Sequence, residues 1–267
     1  MSEKEPPTMS LKIGVMGGAG GNIPPQHLKK AAQLGEAIAH AECVMITGAC
    51  PGLPLAAARA AKRRGGTVVG VSPGLSLDEH AYKYGYKYGS PTLAHDVLIF
   101  TGSGLMGREV INIRSSDIVV FMGGSTGTLG ELAIAYDEGK LMGVVTGTGG
   151  ISDMVEEILT ACGKDTGARV LYDGDPASLV KELLEVYRIE HHRQPSVFCR
   201  GTSDPSLAPV EGSEQDVICG MWVAPGTAAA RRIRDGKRFV FCSLQCAERF
   251  DSEPTSFLDG TDRSGES

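Results

Sequence analysis

Seven short apolar runs, separated by stretches with helical periodicity, limit what residues 11–188 can fold into. The runs are rich in Val, Ile, Leu and Phe, and most of them end in Gly or Pro, as strands do. Because they have no polar face, they are typical of a parallel sheet covered by helices on both sides. The alternation predicts an α/β fold, a Rossmann-like doubly wound parallel sheet, in which ligands bind at the carboxyl ends of the strands. The runs are LKIGVMGG, CVMITGAC, TVVGVSP, DVLIFTG, DIVVFMGG, LMGVVTGTG and RVLYDGDP.

Between the runs lie segments in which apolar residues recur at helical spacing. In PQHLKKAAQLGEAIAH, residues 25–40, this spacing predicts a helix with one apolar stripe that packs on the sheet. Similar patterns follow the other runs, so helices are available to cover both faces. The predicted stripe of this first helix consists of Leu28, Ala31, Ala32, Gly35, Ile38 and Ala39.

The composition changes after these segments. Residues 188–215 are rich in Pro, Ser, Gly and charged side chains, which is typical of a linker. Residues 216–258 then hold three of the seven cysteines and the only Trp in a compact stretch. The sequence therefore predicts a first domain at 11–187 and a small second domain at 216–258, joined by the linker.

Charge and hydropathy argue against two classes of partner. The net charge is −6, whereas a protein that binds nucleic acid usually presents a basic face to the phosphates. No run reaches the roughly 18 apolar residues that span a bilayer, and the opening MSEKEPPTMS has no apolar segment typical of a secretion signal. We therefore expect a cytoplasmic protein that binds neither nucleic acid nor membranes. Cysteines stay reduced in that compartment, so a close cysteine cluster favours a metal site over a disulfide.

Three of the predicted strands end in loops of small residues, at 17–22, 47–53 and 123–128. Glycine accepts positive φ angles and lets an anion approach the backbone closely. The third loop, GGSTGT, leads into a helix, whose free amides and positive dipole end favour phosphate. The loops match neither the G-x-x-x-x-G-K-[ST] pattern of a P-loop nor the G-x-G-x-x-G pattern of a dinucleotide site. The predicted phosphate-binding residues are Gly17, Gly18, Gly48, Gly124, Gly127 and Thr128.

The tetrapeptide from Thr128 to Glu131 allows a second interpretation. It fits a capping box, in which the Thr128 hydroxyl accepts from an amide of the first helical turn and Glu131 reaches back to the cap amide. In that case Glu131 stabilises a helix and takes no part in chemistry. The residues alone leave both interpretations open.

The stretch GGSTGTLGE, residues 123–131, resembles the P-G-G-x-G-T-x-x-E signature of the Lonely Guy (LOG) family, with Gly123 at the Pro position. The family has an arginine sixteen residues before the first motif glycine, and here that residue is Arg108. The loop TGACPGL likewise resembles the family's G-G-x-x-G-L-M. The resemblance covers roughly residues 11–185 and implies a Rossmann-like nucleotide-binding domain that forms a homodimer.

The resemblance also implies an activity. Active members of the family hydrolyse a nucleoside 5′-monophosphate to the free base and ribose 5-phosphate, and we expect no cofactor in this domain. Arg108 and Glu131 take the catalytic positions, and the glycine loops would seat the 5′-phosphate. Such a reaction builds positive charge on the ribose, which a carboxylate stabilises. Two departures favour nucleotide binding without turnover: Glu109 replaces the usual Lys, and Gly130 replaces a second Glu.

The cysteines of the second domain have the spacing of a metal site. Cys242 and Cys246 lie four residues apart, so they share one face of a helix, and Cys219 supplies a third thiol. Three thiolates suit a soft ion such as Zn or Cu. The alternative is three buried free cysteines. The fourth ligand stays open between Met221, Cys199, His191 and His192, whereas Cys43, Cys50 and Cys162 of the first domain are expected to be ordinary core or loop residues.

This segment closely resembles the YHS domain, whose pattern is D-P-V-C-G-M, then G-x-x-Y-x-F-C-S-x-x-C, then F and P. Asp216 opens the matching stretch here, and Cys219, Cys242 and Cys246 are all present. The resemblance implies a metal-binding or metal-sensing role. The whole chain is thus expected to be either a nucleoside-monophosphate hydrolase with a metal module or a non-catalytic protein that binds a nucleotide and senses metal.

Overall fold

The computed structural model gives the chain two compact units, the first containing a seven-stranded sheet and the second a small α/β module. No helix in the described part of the chain is long and apolar enough to cross a membrane. The predicted linker at 188–215 lies mostly outside the described residues, so the domain boundaries stay predictions. The structure describes residues 10–85, 92–190, 212–218, 222–223, 226, 228–242 and 244–252.

The sheet of the first unit is parallel throughout, with strand order β4-β3-β2-β1-β5-β6-β7. Each strand lies within one of the seven apolar runs, which confirms the predicted Rossmann-like fold. The order reverses beside β1, whose neighbours are β2 and β5, and such a switch point opens a crevice at the carboxyl ends of the strands. The strands are β1 Lys12–Gly17, β2 Val44–Thr47, β3 Val68–Ser72, β4 Val97–Phe100, β5 Ile118–Met122, β6 Leu141–Val145 and β7 Arg169–Asp173.

Helices follow the strands and cover both faces of the sheet. Two separate clusters of buried apolar residues lie one on each side, and β5 and β6 are buried along their whole length. A π-helical segment, Glu79–Gly85, and a 3₁₀ turn, Gly150–Met154, lie between regular elements. The helices are α1 Pro25–His40, α2 Leu53–Arg63, α3 Gly104–Arg114, α4 Thr126–Asp137, α5 Val155–Cys162 and α6 Pro176–Glu190.

The predicted stripe of α1 is right for half of its members and wrong at its start. Ala31, Gly35 and Ile38 are buried, with Gly35 packed against Ala57 of α2, whereas Leu28 is exposed. Leu34, which the stripe left out, is fully buried.

The second unit pairs its short strands antiparallel. β8 Glu214–Gln215 pairs with β9 Trp222–Val223, and β10 Ala230–Arg234 pairs with β11 Lys237–Phe241. The helix α7, Leu244–Ser252, packs on β10 and β11. Its buried cluster is small, with the Phe250 ring 4.8 Å from that of Phe239 and 5.2 Å from that of Phe241.

Candidate functional site

The three glycine loops meet at the switch point. The Gly18 amide donates to the carbonyl of Met122 over 3.1 Å, and the Leu53 amide donates to the carbonyl of Gly18 over 2.9 Å. Gly17 must be glycine because a Cβ there would lie 2.3 Å from the Met122 carbonyl oxygen. The loops after β1, β2 and β5, far apart in sequence, therefore form one surface.

The first turn of α4 faces this surface with free amides. The helix begins at Thr126, and its cap residue, Ser125, makes no side-chain cap hydrogen bond. The first amide bonded back to the turn is that of Leu129, which donates to Ser125 over 2.9 Å. In the described part of the chain no hydrogen bond reaches the amides of residues 126–128. This is the geometry in which a helix start binds an anion.

The same start shows that the capping-box interpretation is wrong. Thr128 is the third residue of the helix rather than its cap, and Glu131 lies on the second turn. Thr128 instead packs against the turn before the helix, because a Cβ on Gly124 would lie 2.2 Å from the Thr128 Oγ1. Gly123 and Gly124 have φ angles of 57° and 95°, which only glycine adopts without strain.

Two residues after β6 hold this turn in place, and the sequence did not point to them. The Gly123 amide donates to the Thr148 hydroxyl over 2.9 Å, and the Ser152 hydroxyl donates to the Gly123 carbonyl over 2.9 Å. Both residues are buried. These hydrogen bonds satisfy the amide and the carbonyl of Gly123 on one side of the turn, and the other side of the turn faces the crevice. The only sequence signal was the run of small residues TGTGG at the end of β6.

A cavity of about 120 Å³ lies where the loops meet. It brings together most of the predicted site residues. Gly124 does not line the cavity and packs against Thr128, which does. Cys50, expected to be an ordinary residue, also lines it, as does Glu109. The lining residues include Gly17, Gly18, Gly48, Cys50, Arg108, Glu109, Ser125, Gly127, Thr128 and Glu131.

Arg108 reaches the cavity from α3 and is 6% exposed, so it is no surface arginine. Its Nη1 donates to the Val71 carbonyl over 3.0 Å, and its Nη2 donates to the Cys50 sulfur over 2.7 Å. Its Nε, also buried, has no partner in the described structure. Gly48 makes room for the guanidinium, because a Cβ there would lie 2.2 Å from Nη1.

Glu131 lies on α4 with its carboxyl group buried in the same cavity. Burial raises the pKa of Glu131 to about 7; the positive charge of Arg108 opposes this shift and the negative charge of Glu109 adds to it. The Asn112 side-chain amide donates to the carboxyl group over a long 3.5 Å. A carboxyl group with this pKa exchanges a proton near neutral pH, as a general acid or base must.

Glu109 is the second carboxyl group of the cavity. It is 6% exposed, and burial raises its pKa above the usual range while Arg108 lowers it. Gly130 leaves space for it, because a Cβ on Gly130 would lie 2.7 Å from the Glu109 Oε2. The two departures noted in the sequence, at 109 and 130, are therefore neighbours in space.

The second unit brings together three potential metal ligands. One ligand atom from each of Asp216, Cys242 and Cys246 lies within 4.8 Å of the others, and the two sulfurs are 3.8 Å apart. Asp216 joins the group although the sequence ascribed no ligand role to it. Its carboxylate accepts from the amides of Ile218 and Cys242, over 2.9 and 2.8 Å, and so fixes the backbone around the cysteines. The predicted ligand Cys219 and the four candidates for a fourth ligand lie outside the described residues.

Comparison with known proteins agrees with both resemblances. The model of the SLOG cluster4 family matches residues 10–180, and the model of the YHS domain matches residues 215–261. An uncharacterized protein of Archaeoglobus fulgidus is 35% identical over 132 residues, which are 49% of this chain and 76% of that protein.

Two solved structures resemble the first unit. The molybdenum cofactor binding protein of Rippkaea orientalis is 27% identical with a TM-score of 0.54, over 67% of this chain and 99% of that one. The molybdenum cofactor carrier protein of Chlamydomonas reinhardtii is 31% identical with a TM-score of 0.52, over 66% of this chain and 99% of that one.

Proposed function

This chain belongs to the SLOG cluster4 family, and from that premise we propose that its first unit binds a nucleoside 5′-monophosphate and hydrolyses it to the free base and ribose 5-phosphate. One observation carries the proposal. The uncapped first turn of α4 opens onto a cavity that also contains a buried arginine and a buried carboxyl group of raised pKa. The amides of residues 126–128 suit the phosphate, and the carboxyl group suits the reacting sugar.

The cavity contains groups of opposite charge, and each sign has its own role in binding or catalysis. The free amides and Arg108 attract the phosphate, whereas Glu131 lies on the next turn of the same helix. In the hydrolysis a water oxygen bonds to the anomeric carbon while the bond to the base nitrogen breaks, positive charge develops on the ribose, and the departing nitrogen keeps the electron pair and takes up a proton. Ionised Glu131 accepts the proton of that water and stabilises the charge. Because the pKa of Glu131 is about 7, the ionised form dominates only above neutral pH.

For the second unit we propose that the cysteine pair holds a soft metal ion, Zn or Cu. The donor set fits such an ion, since two sulfurs lie 3.8 Å apart beside a buried carboxylate, and Cys219 would add a third sulfur. The Asp216 carboxylate already accepts hydrogen bonds from the amides of Ile218 and Cys242. It therefore positions the backbone beside the cysteines independently of any contact with the ion. The ion would join the turn before β9 to the start of α7.

A second candidate for the first unit is carriage of the molybdenum cofactor. The likeness to proteins that bind or carry this cofactor favours it. The cofactor is a phosphorylated pterin, so its phosphate would use the same amides. Molybdenum and pterin in the purified protein, lost on addition of AMP, would favour this candidate, whereas their absence together with AMP binding would favour the nucleotide.

The binding step is tested with Gly127→Val. A Cβ on Gly127 would lie 3.7 Å from the Glu109 Oε1, an ordinary contact, so the branched side chain fits the fold but fills the mouth of the anion site. Calorimetry should show AMP binding to the wild type and none to the variant. Gly20→Val, at a position with nothing within 4 Å of its Cβ, is the control and should bind normally. Equal AMP affinity in folded Gly127→Val would contradict the phosphate site.

A further inference from the structure

Glu109 is a largely buried residue whose carboxylate is open to the cavity and accepts no hydrogen bond from the described part of the protein. It is 6% exposed, lines the cavity, and receives no hydrogen bond or ion pair from a described residue. Its neighbour Arg108 directs two of its nitrogens to Val71 and Cys50 instead. A ligand in the cavity that donates hydrogen bonds can therefore reach the carboxylate and form charge-assisted bonds with it.

The glycines of α4 determine where the carboxylate lies. Its Oε2 would be 2.7 Å from a Cβ on Gly130 and its Oε1 3.7 Å from a Cβ on Gly127. These two positions are three residues apart and share one face of the helix. The bare face lets the Glu109 carboxylate lie across the first turns of α4, with both oxygens beside the anion site.

The chemistry of the two neighbouring groups restricts the ligand. An ionised carboxylate only accepts hydrogen bonds, and so does an ionised phosphate, so Glu109 does not bind the phosphate itself. The free amides of residues 126–128 only donate, and they take the phosphate. The ligand must therefore present paired donors close to a phosphate. A phosphorylated sugar with vicinal hydroxyls meets this requirement, with one hydroxyl for each carboxylate oxygen.

The size of the cavity points the same way. At about 120 Å³ it is smaller than the roughly 300–1,000 Å³ of sites that enclose a whole small molecule. We therefore expect the sugar phosphate of a ligand to lie in the cavity and its base to lie towards the opening. Discrimination between ligands is then expected at the sugar rather than at the base.

We propose that Glu109 binds the vicinal ribose hydroxyls of the ligand and makes the first unit specific for ribosyl phosphates. This inference rests on the proposed nucleotide function. It assigns Glu109 a binding role that is separate from the chemical role of Glu131. Glu109, which replaces the Lys of the LOG pattern, is thus the residue that recognises the sugar.

The test compares AMP with 2′,3′-dideoxy-AMP by calorimetry on the full chain at pH 8. The wild type should bind AMP at least tenfold more tightly, because hydrogen bonds to a charged acceptor are the strong ones. In Glu109→Ala the two affinities should become equal within about twofold. Gly130→Ala, which displaces the carboxylate without removing its charge, should also reduce the ratio. Glu157→Ala, at an exposed position of α5, is the control and should keep the wild-type ratio.

The outcomes separate the two levels of the proposal. A wild type that binds both ligands equally, or a Glu109→Ala variant that keeps the full ratio, overturns the role of Glu109 and leaves nucleotide binding standing. The second result is also expected if Glu109 holds a proton and donates to the phosphate. A wild type that binds neither AMP nor ribose 5-phosphate overturns the proposed function, and this inference with it.

Discussion

The two sites of this protein are made in different ways. In the first unit the cavity collects residues from the ends of three strands, and of its lining only Val15 and Met16 belong to the apolar clusters on the two faces of the sheet. In the second unit Cys242 lies before the start of α7 and not on it, so the predicted shared helix face is wrong, and Cys246, which is on α7, is itself a fully buried member of the small core. The first site lies beside a large core that needs no ligand, whereas in the second site a proposed metal ligand is itself part of the small core.

The difference has an energetic consequence. The first unit loses stability by burying Glu131 and Glu109, and its large sheet tolerates that loss. The second unit has few core residues, and domains of this size usually need a metal or a disulfide to fold. Ligands should therefore matter little for the fold of the first unit and decisively for that of the second.

The largest expected effect is the loss of the second unit on removal of metal. Thiolate ligation couples metal binding to folding, so a chelator should unfold this unit and leave the sheet intact. Trp222, the only Trp of the chain, lies in the second unit and reports on it alone in fluorescence. Because Trp222 is already 53% exposed, its fluorescence anisotropy should fall with chelator while its emission maximum changes little, and the far-ultraviolet circular dichroism of the first unit should persist.

Two variants sharpen this prediction. Cys242→Ser and Cys246→Ser should both lose the metal, but Cys246→Ser should destabilise the metal-free unit further, because it places a hydroxyl in the core beside Phe241 and Phe250. A metal-free second unit that stays folded by NMR would show that neither unit depends on a ligand for its fold.

The next effect concerns the pH dependence of the first unit. The pKa of Glu131 rises from 4.5 to about 7 on folding, so the folded state holds its proton more tightly than the unfolded state. Stability is therefore unaffected below pH 4.5, falls as the pH rises towards 7, and is lower by about 3 kcal/mol above it. Glu131→Gln should remove this loss, so it should stabilise the protein at pH 8 and leave stability nearly unchanged at pH 4.

Urea unfolding at the two pH values measures this effect. Glu157→Gln, at an exposed position, is the control and should change stability little at either pH. A Glu131→Gln variant that is less stable than the wild type at pH 8 would mean that the carboxylate has a stabilising partner in the folded state.

The smallest effect separates backbone strain from packing in the glycine loops. Gly124→Ala should cost about 1–3 kcal/mol, because its φ is 95° and its Cβ would overlap Thr128. Gly21→Ala has a similar φ of 85° but open space around the Cβ, so it should cost only the strain. Equal losses in the two variants, measured by urea unfolding, would show that the contact with Thr128 contributes nothing.

The sequence predicted the sheet well because apolar runs that end in glycine require buried parallel strands. It also predicted the members of the cavity, since loops that follow neighbouring parallel strands meet at one edge. It could not decide between cap and site residue for Glu131, because that depends on whether α4 begins at Thr126 or later. Thr148 and Ser152 were missed since their roles come from contacts across the crevice, which no local pattern encodes.

Release of free base from AMP by the wild type and by Glu131→Gln, between pH 5.5 and 8.5, tests the central claim most directly. The wild type should release adenine at a rate that rises with pH and levels off above about 7, where Glu131 is ionised. Glu131→Gln, which keeps the shape and loses the charge, should be at least about 100-fold slower at pH 8 while binding AMP normally. Near wild-type release by this variant, or a wild type that binds AMP and releases no adenine, would contradict catalysis by Glu131.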